Sequence, residues 1–112
     1  MTKNSTIFCD IDGTIFKYRQ FGTYEETIPE VIQSTLDYLN KEKEKGSFIV
    51  LTTARPDMLY SHTMKELIRC KVPFDRIITG IGRGVRYLVN DMDPEKEGER
   101  AVAINLVRDQ GF

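Results

Sequence analysis

Cysteine is scarce in this sequence, with Cys9 and Cys70 the whole supply. They make neither a Cys-x-x-Cys metal pair nor a disulfide framework, so both are expected to stay reduced. Cys9 falls in an apolar stretch and reads as a small buried hydrophobe, whereas Cys70 closes a predicted helix. Histidine is scarcer still, and His62 reads as a surface or partly packed side chain with no metal partner recognised at ligand spacing. The net charge of −1 gives no strong nucleic-acid signal, although contact with a short polymer end stays compatible with it. No apolar run approaches a membrane span, and Met1–Thr6 carries no signal core, so the expectation is a soluble cytoplasmic domain with no membrane partner. Repeats and low-complexity linkers are missing too. Residues 1–112 therefore read as one domain with one core.

What is present begins with Ile7-Phe8-Cys9-Asp10-Ile11-Asp12-Gly13-Thr14. An apolar run bounded by turn residues suits a buried strand of a parallel sheet, here predicted over residues 5–9. Two carboxylates at the mouth of such a strand are costly unless a cation or a hydrogen-bond network compensates them. A hard divalent cation is the natural partner. A calcium loop is excluded, because it needs a Glu six residues after its Gly and position 19 is Arg.

Aromatic and charged residues alternate around Gly22 between Ile15 and Ile28, which predicts a short hairpin or flap. The spacing of Val31, Ile32, Leu36 and Leu39 predicts a helix over residues 30–45, opened after Pro29 and stopped at Gly46. Phe48–Leu51 is a second apolar strand. A second helix follows from Pro56 or Asp57 to Cys70, with Met58, Leu59, Met64, Leu67 and Ile68 as its apolar positions. Arg76–Thr79 is predicted as the third strand, Val85–Val89 as the fourth and Ala101–Val107 as the fifth. Strands alternating with helices give an α/β class: a three-layer, Rossmann-like domain with a parallel sheet, a short flap after the first strand and no large cap domain.

In such sheets ligands bind beyond the carboxyl ends of the strands. Three strand ends carry polar chemistry here, namely Asp10/Asp12, Thr52/Thr53 and Asn90/Asp91/Asp93. The Thr pair before a helix could supply a hydroxyl and N–H groups for an anion, or simply cap the helix. Gly80, Gly82 and Gly84 lack dinucleotide-binding spacing.

The stretch 7–14 resembles the first motif of the haloacid dehalogenase superfamily, the aspartate-nucleophile phosphatases. Leu51-Thr52-Thr53-Ala54-Arg55 is similar to that superfamily's second motif, pointing to Thr53, with Thr52 as the fallback. The superfamily's third motif is a Lys or Arg. No Lys lies between Lys71 and Lys96, so Arg83 is the first candidate and Arg86 the second. Leu88–Asp93 resembles the last, acidic motif, with Asn90 a departure and Asp91, alone or with Asp93, as the metal ligand. The absence of room for a cap looks like the capless subclass.

The resemblance implies a phosphomonoester hydrolase acting through an aspartyl-phosphate. Asp10 would be the nucleophile, Asp12 the acid and base, and Thr53 and Arg83 the catalytic phosphate ligands. Gly13, Thr52 and Arg86 would contact substrate, and Asp10, Asp12 and Asp91 would hold Mg2+. The substrate would be a phosphorylated sugar, a nucleotide or a phosphorylated polymer end, and a homo-oligomer fits a capless site. A phosphotransferase of the same fold and a non-catalytic phospho-binding module are the alternatives. A receiver-type phosphoacceptor fits less well, because its acceptor Asp would stand where Thr79-Gly80 stands.

Overall fold

The computed structural model describes residues 4–112. Part of the stretch read for a signal core, residues 1–3, lies outside the described residues. Strand β1 spans Thr6–Asp10, helix α1 Gln33–Glu44, strand β2 Phe48–Thr52, helix α2 Tyr60–Arg69 and strand β3 Arg76–Ile78. A 3-10 turn over Asp57–Leu59 leads into α2. The three strands form one parallel sheet in the order β1-β2-β3. Both connections cross over through a helix, as the alternation of strand and helix in the sequence requires. The register sets Asp10 beside Thr52, and Thr52 beside Ile78, so the carboxyl ends of the three strands lie side by side.

The core follows from the apolar strands and the helix stripes. Cys9, Ile49 and Leu51 from the sheet meet Leu39 of α1, Leu67 of α2, and Ile11, Ile15 and Phe16 from the loop after β1. Gly46 adopts φ +90 just past α1, and its N–H donates to the Lys43 carbonyl, which closes the helix as expected. The first helix begins three residues later than the periodicity suggests, because Val31 is drawn into a bridge with Phe16. That bridge closes the loop after β1 at its base. No hairpin ladder forms within it, and its ordering comes from turns and from Arg19, as described below.

Residues 85–89 and 101–107 are not strands, which corrects the expectation of a fourth and a fifth. Val85, Tyr87 and Val89 are exposed, so the apolar run buries neither face. Arg86, at its centre, reaches across to Asp10 and holds the segment over the end of β1 instead of along its edge. Ala101–Val107 passes beside β1 without joining its ladder, and its side chains line a cavity of about 370 Å³ together with Phe8, Asp10, Thr52 and Arg86. Apolar composition alone does not make a strand when no partner supplies the hydrogen bonds. Among the described residues no helix is long and apolar enough to cross a membrane.

Candidate active site

A second cavity, of about 280 Å³, opens at the carboxyl end of the sheet. Asp10 and Asp12, Thr53, Ala54 and Arg55, Tyr18, Phe21 and Tyr24, and Arg83, Gly84, Arg86 and Arg108 line it. Asp10 is the last residue of β1, and the chain leaves the strand there because Gly13 turns it at φ +89. One Asp10 oxygen accepts from the Thr14 hydroxyl at 3.1 Å and the other from the Arg86 guanidinium at 3.1 Å. Burial pushes the Asp10 carboxyl above its ordinary value, against the partial opposition of Arg86 and Thr14. Its side chain is still one-third exposed at 33 %, so it is reachable. Cys9, next door, is buried, and burial together with the Asp10 charge pushes its thiol up to about 12. That thiol is no nucleophile near neutrality.

Asp12 is held differently. Arg55 donates to both of its oxygens, through Nε and Nη2, each at 2.9 Å. The Arg55 side chain is fully buried, and its Nη1 donates to Glu66 Oε1 at 2.8 Å and to the Thr63 hydroxyl at 3.2 Å. Arg19 forms a second fork onto Glu66, with bonds of 2.7 and 2.9 Å, and approaches Asp12 at 3.9 Å. His62 adds a contact to Glu66 Oε2 at 3.1 Å, and its Nε2 also meets the Tyr24 carbonyl at 2.9 Å. Tyr24 lies under both guanidiniums, 4.2 Å from that of Arg55 and 5.3 Å from that of Arg19. The buried Glu66 carboxylate and the partly buried Asp12 carboxylate thus neutralise two buried guanidiniums, and bidentate geometry fixes the plane of the Asp12 carboxylate. Burial alone would push the Glu66 carboxyl up, but the hydrogen bonds and charges of Arg19 and Arg55 outweigh it and hold Glu66 below the usual range.

The sequence reading missed Arg55, Arg19, Glu66 and His62 as a unit. One signal was available. Glu66 shares a helix face with Thr63 and Leu67, all three buried, and lies one turn beyond His62. A carboxylate on a core-facing stripe demands a buried cation. The apolar positions chosen instead include Met58 and Ile68, which are exposed.

The other expected residues distribute as follows. Thr53 lines the cavity and is buried, but its hydroxyl accepts from the Arg55 N–H at 3.1 Å rather than capping α2, which starts beyond it. Thr52 pairs with Asp10 across the sheet and lines the larger cavity, as Asp10 and Arg86 also do. Arg86 bonds Asp10, while Arg83 packs over the Phe21 ring at 4.4 Å. The Gly13 N–H is already donated to the Phe16 carbonyl at 2.6 Å. Asp91 lines neither cavity; it is 75 % exposed and lies 3.7 Å from Arg100.

The C-terminal tail was not anticipated at the site. The Asp109 N–H donates to the Gly13 carbonyl at 2.8 Å, and Asp109 Oδ1 accepts from the Tyr18 N–H at 2.6 Å. These two bonds tie the tail to both sides of the loop after β1. The Tyr18 amide is therefore expected to exchange slowly with solvent. Asp109→Ala should make it exchange rapidly, with partial protection in Asp109→Asn, whose side chain keeps an acceptor and tolerates the local φ of 68. Residue-resolved hydrogen exchange reads this directly.

A hard cation finds one carboxylate here, Asp10, and the Asp12 carbonyl, to which no described residue donates. No group of three His, Cys, Asp or Glu side chains converges among the described residues. That donor set suits an ion that keeps several waters and shares a phosphate ligand, as magnesium does, and not an all-protein cage.

The sequence model described as haloacid dehalogenase-like hydrolase matches residues 7–75, more than half of the chain. That span contains both aspartates, Thr53, Arg55 and Glu66. No curated protein sequence matches the chain. A crystal structure of a target protein from Vibrio cholerae superposes with a TM-score of 0.58 at 20 % identity, covering 76 % of this chain and 79 % of that one. The likeness is one of fold.

Proposed function

The chain belongs to the haloacid dehalogenase-like hydrolases, and from that premise we propose that it is a phosphomonoester hydrolase working through an aspartyl-phosphate on Asp10. The observation that carries this is the contrast between two neighbouring carboxylates. Asp10 is reachable and held by single hydrogen bonds, whereas Asp12 is locked in a fork by a buried arginine. A nucleophile needs a free lone pair, and a proton carrier needs a fixed position.

In the first step an Asp10 oxygen forms a bond to phosphorus as the bond from phosphorus to the leaving oxygen breaks. Asp12 takes up a proton from solvent, giving up one of its two bonds from Arg55 as it does so, and passes that proton to the leaving oxygen. Water then attacks the phosphoryl group of the acyl phosphate and loses a proton to Asp12, which returns Asp10 and frees phosphate. Arg86, bonded to Asp10, would meet the charge that accumulates on the non-bridging oxygens, with Thr53 lining the same cavity. Asp10 and the Asp12 carbonyl would hold magnesium, which when bound lets an anionic nucleophile meet an anionic phosphate. Asp91 is a magnesium ligand in this reading only if residues 90–93 move toward Asp10.

Release of phosphate from 4-nitrophenyl phosphate, with magnesium and with EDTA, tests the reading. Magnesium-dependent release by the wild type is the expected result. Activity should fall on the acid side as Asp10 becomes protonated, since its ionised form is both the nucleophile and the magnesium ligand of this reading. Release that persists unchanged in EDTA, or that does not fall toward acid pH, contradicts it. Retention of phosphate by the protein and its transfer to an added alcohol would favour the phosphotransferase alternative.

A further inference from the structure

Four arginines and two aspartates line the smaller cavity. Arg55 is consumed by Asp12 and Glu66, and Arg86 makes a single contact to Asp10, at the place the phosphoryl group would take. Arg83 and Arg108 have no carboxylate within ion-pair distance among the described residues, yet neither is loose. Arg83 stacks over Phe21 at 4.4 Å, and Arg108 stacks over Tyr18 at 4.0 Å. Arg108 also packs its Cγ against Gly13, where an added Cβ would come within 3.2 Å. Its backbone is anchored one residue on by the Asp109 bonds to Gly13 and Tyr18. Stacking uses the flat face of a guanidinium and leaves its in-plane N–H donors free. Two fixed cations with unused donors therefore face the space beside the nucleophile.

A single phosphomonoester is already matched by Arg86 and, when bound, magnesium. We propose that Arg108, assisted by Arg83, binds a second oxyanion of the substrate, so that the substrate is a small phosphomonoester carrying a further phosphate or carboxylate. This rests on the hydrolase reading for the identity of the first group. Asp109 and Gly13 act as positioning residues for Arg108, and the stacked rings hold both guanidiniums in place at little cost in side-chain freedom.

Binding is measured by calorimetry on the wild-type protein without added magnesium. Fructose 6-phosphate is compared with fructose 1,6-bisphosphate, and phenyl phosphate with 4-carboxyphenyl phosphate. At least one doubly anionic member is expected to bind about tenfold tighter or more than its partner, the scale of one charge-assisted hydrogen-bond set. The sugar arm identifies phosphate as the second group, and the aryl arm carboxylate. Arg108→Gln should reduce the preference to about threefold or less. Arg76→Gln should leave it intact, because Arg76 stacks over Phe48 and lines neither cavity. Equal affinities within both pairs, or a preference that survives in the Arg83→Gln/Arg108→Gln double variant, overturns the proposal. Phosphate release by the same preparations once magnesium is added separates the two levels. Release without discrimination defeats only the second-anion site, whereas discrimination without release defeats the hydrolase reading.

Discussion

Glu66→Ala is expected to cost about 3–5 kcal/mol of folding stability, the range seen when one partner of a buried ion pair is removed. Glu66 is 3 % exposed and takes bonds from two guanidiniums whose side chains are 0 % and 8 % exposed. Removing it leaves Arg19 and Arg55 buried with only Asp12 to compensate them. The pH dependence has a definite sign. Because the folded pKa of Glu66 lies below its ordinary value of 4.5, its contribution is present above that value and is lost as pH falls through the lower folded value. The variant should therefore lose stability less steeply than the wild type on acidification. Guanidinium chloride melts at several pH values measure both effects, with the midpoint falling and the slope m unchanged. The exposed pair Lys17–Glu30, 2.7 Å apart, is the contrast, and Glu30→Ala should be indistinguishable from wild type. A Glu66→Ala protein of wild-type stability contradicts the buried network.

Asp10→Asn is expected to lower phosphate release by at least about a thousandfold, since among the described residues no other reachable carboxylate lines the cavity to form the covalent intermediate. The same substitution should raise folding stability at neutral pH. Burial raises the Asp10 pKa above its ordinary 3.8, more than Arg86 and Thr14 lower it. The folded state therefore disfavours the ionised form. Whatever stability the group contributes is full below 3.8 and is lost as pH rises through the raised folded value. At neutral pH the ionised carboxylate costs stability that a neutral amide of the same shape does not. A variant that is inactive and less stable than wild type at neutral pH would place Asp10 in a supporting role instead.

Sequence patterning made the scaffold legible through β3. The apolar runs at Ile7–Cys9 and Phe48–Leu51 have the length and bounds of buried strands, and the Val31–Leu39 stripe and Gly46 mark a helix and its end. Asp10 and Asp12 stood out because two carboxylates after an apolar strand need compensation from somewhere. Where the compensation comes from was not legible. Arg55 lies in the expected second motif, where it points to Thr53, but nothing in the motif says that its own side chain forks onto Asp12. Arg19 lies among aromatics of the loop, and Glu66 sits on a helix whose charged residues otherwise face solvent. Their meeting depends on how α2 packs against the loop after β1, a tertiary fact that local periodicity does not encode. The segments 85–89 and 101–107 misled for the converse reason. Their composition suits strands, but hydrogen-bond partners decide a strand, and Arg86 is drawn to Asp10 rather than to the edge of β1. Asp109 was invisible because the separation between it and Tyr18 spans nearly the whole chain.

The most direct test of the central claim is to trap the phosphoryl group on the protein. Wild type is quenched in acid during turnover of 4-nitrophenyl phosphate with magnesium, digested at low pH and mapped by mass spectrometry. An acid-stable, alkali-labile phosphoryl group on the peptide containing Asp10, missing from Asp10→Asn, is the expected result. Turnover without any such adduct, or an adduct of equal yield in Asp10→Asn, would contradict the assignment of Asp10 as the nucleophile.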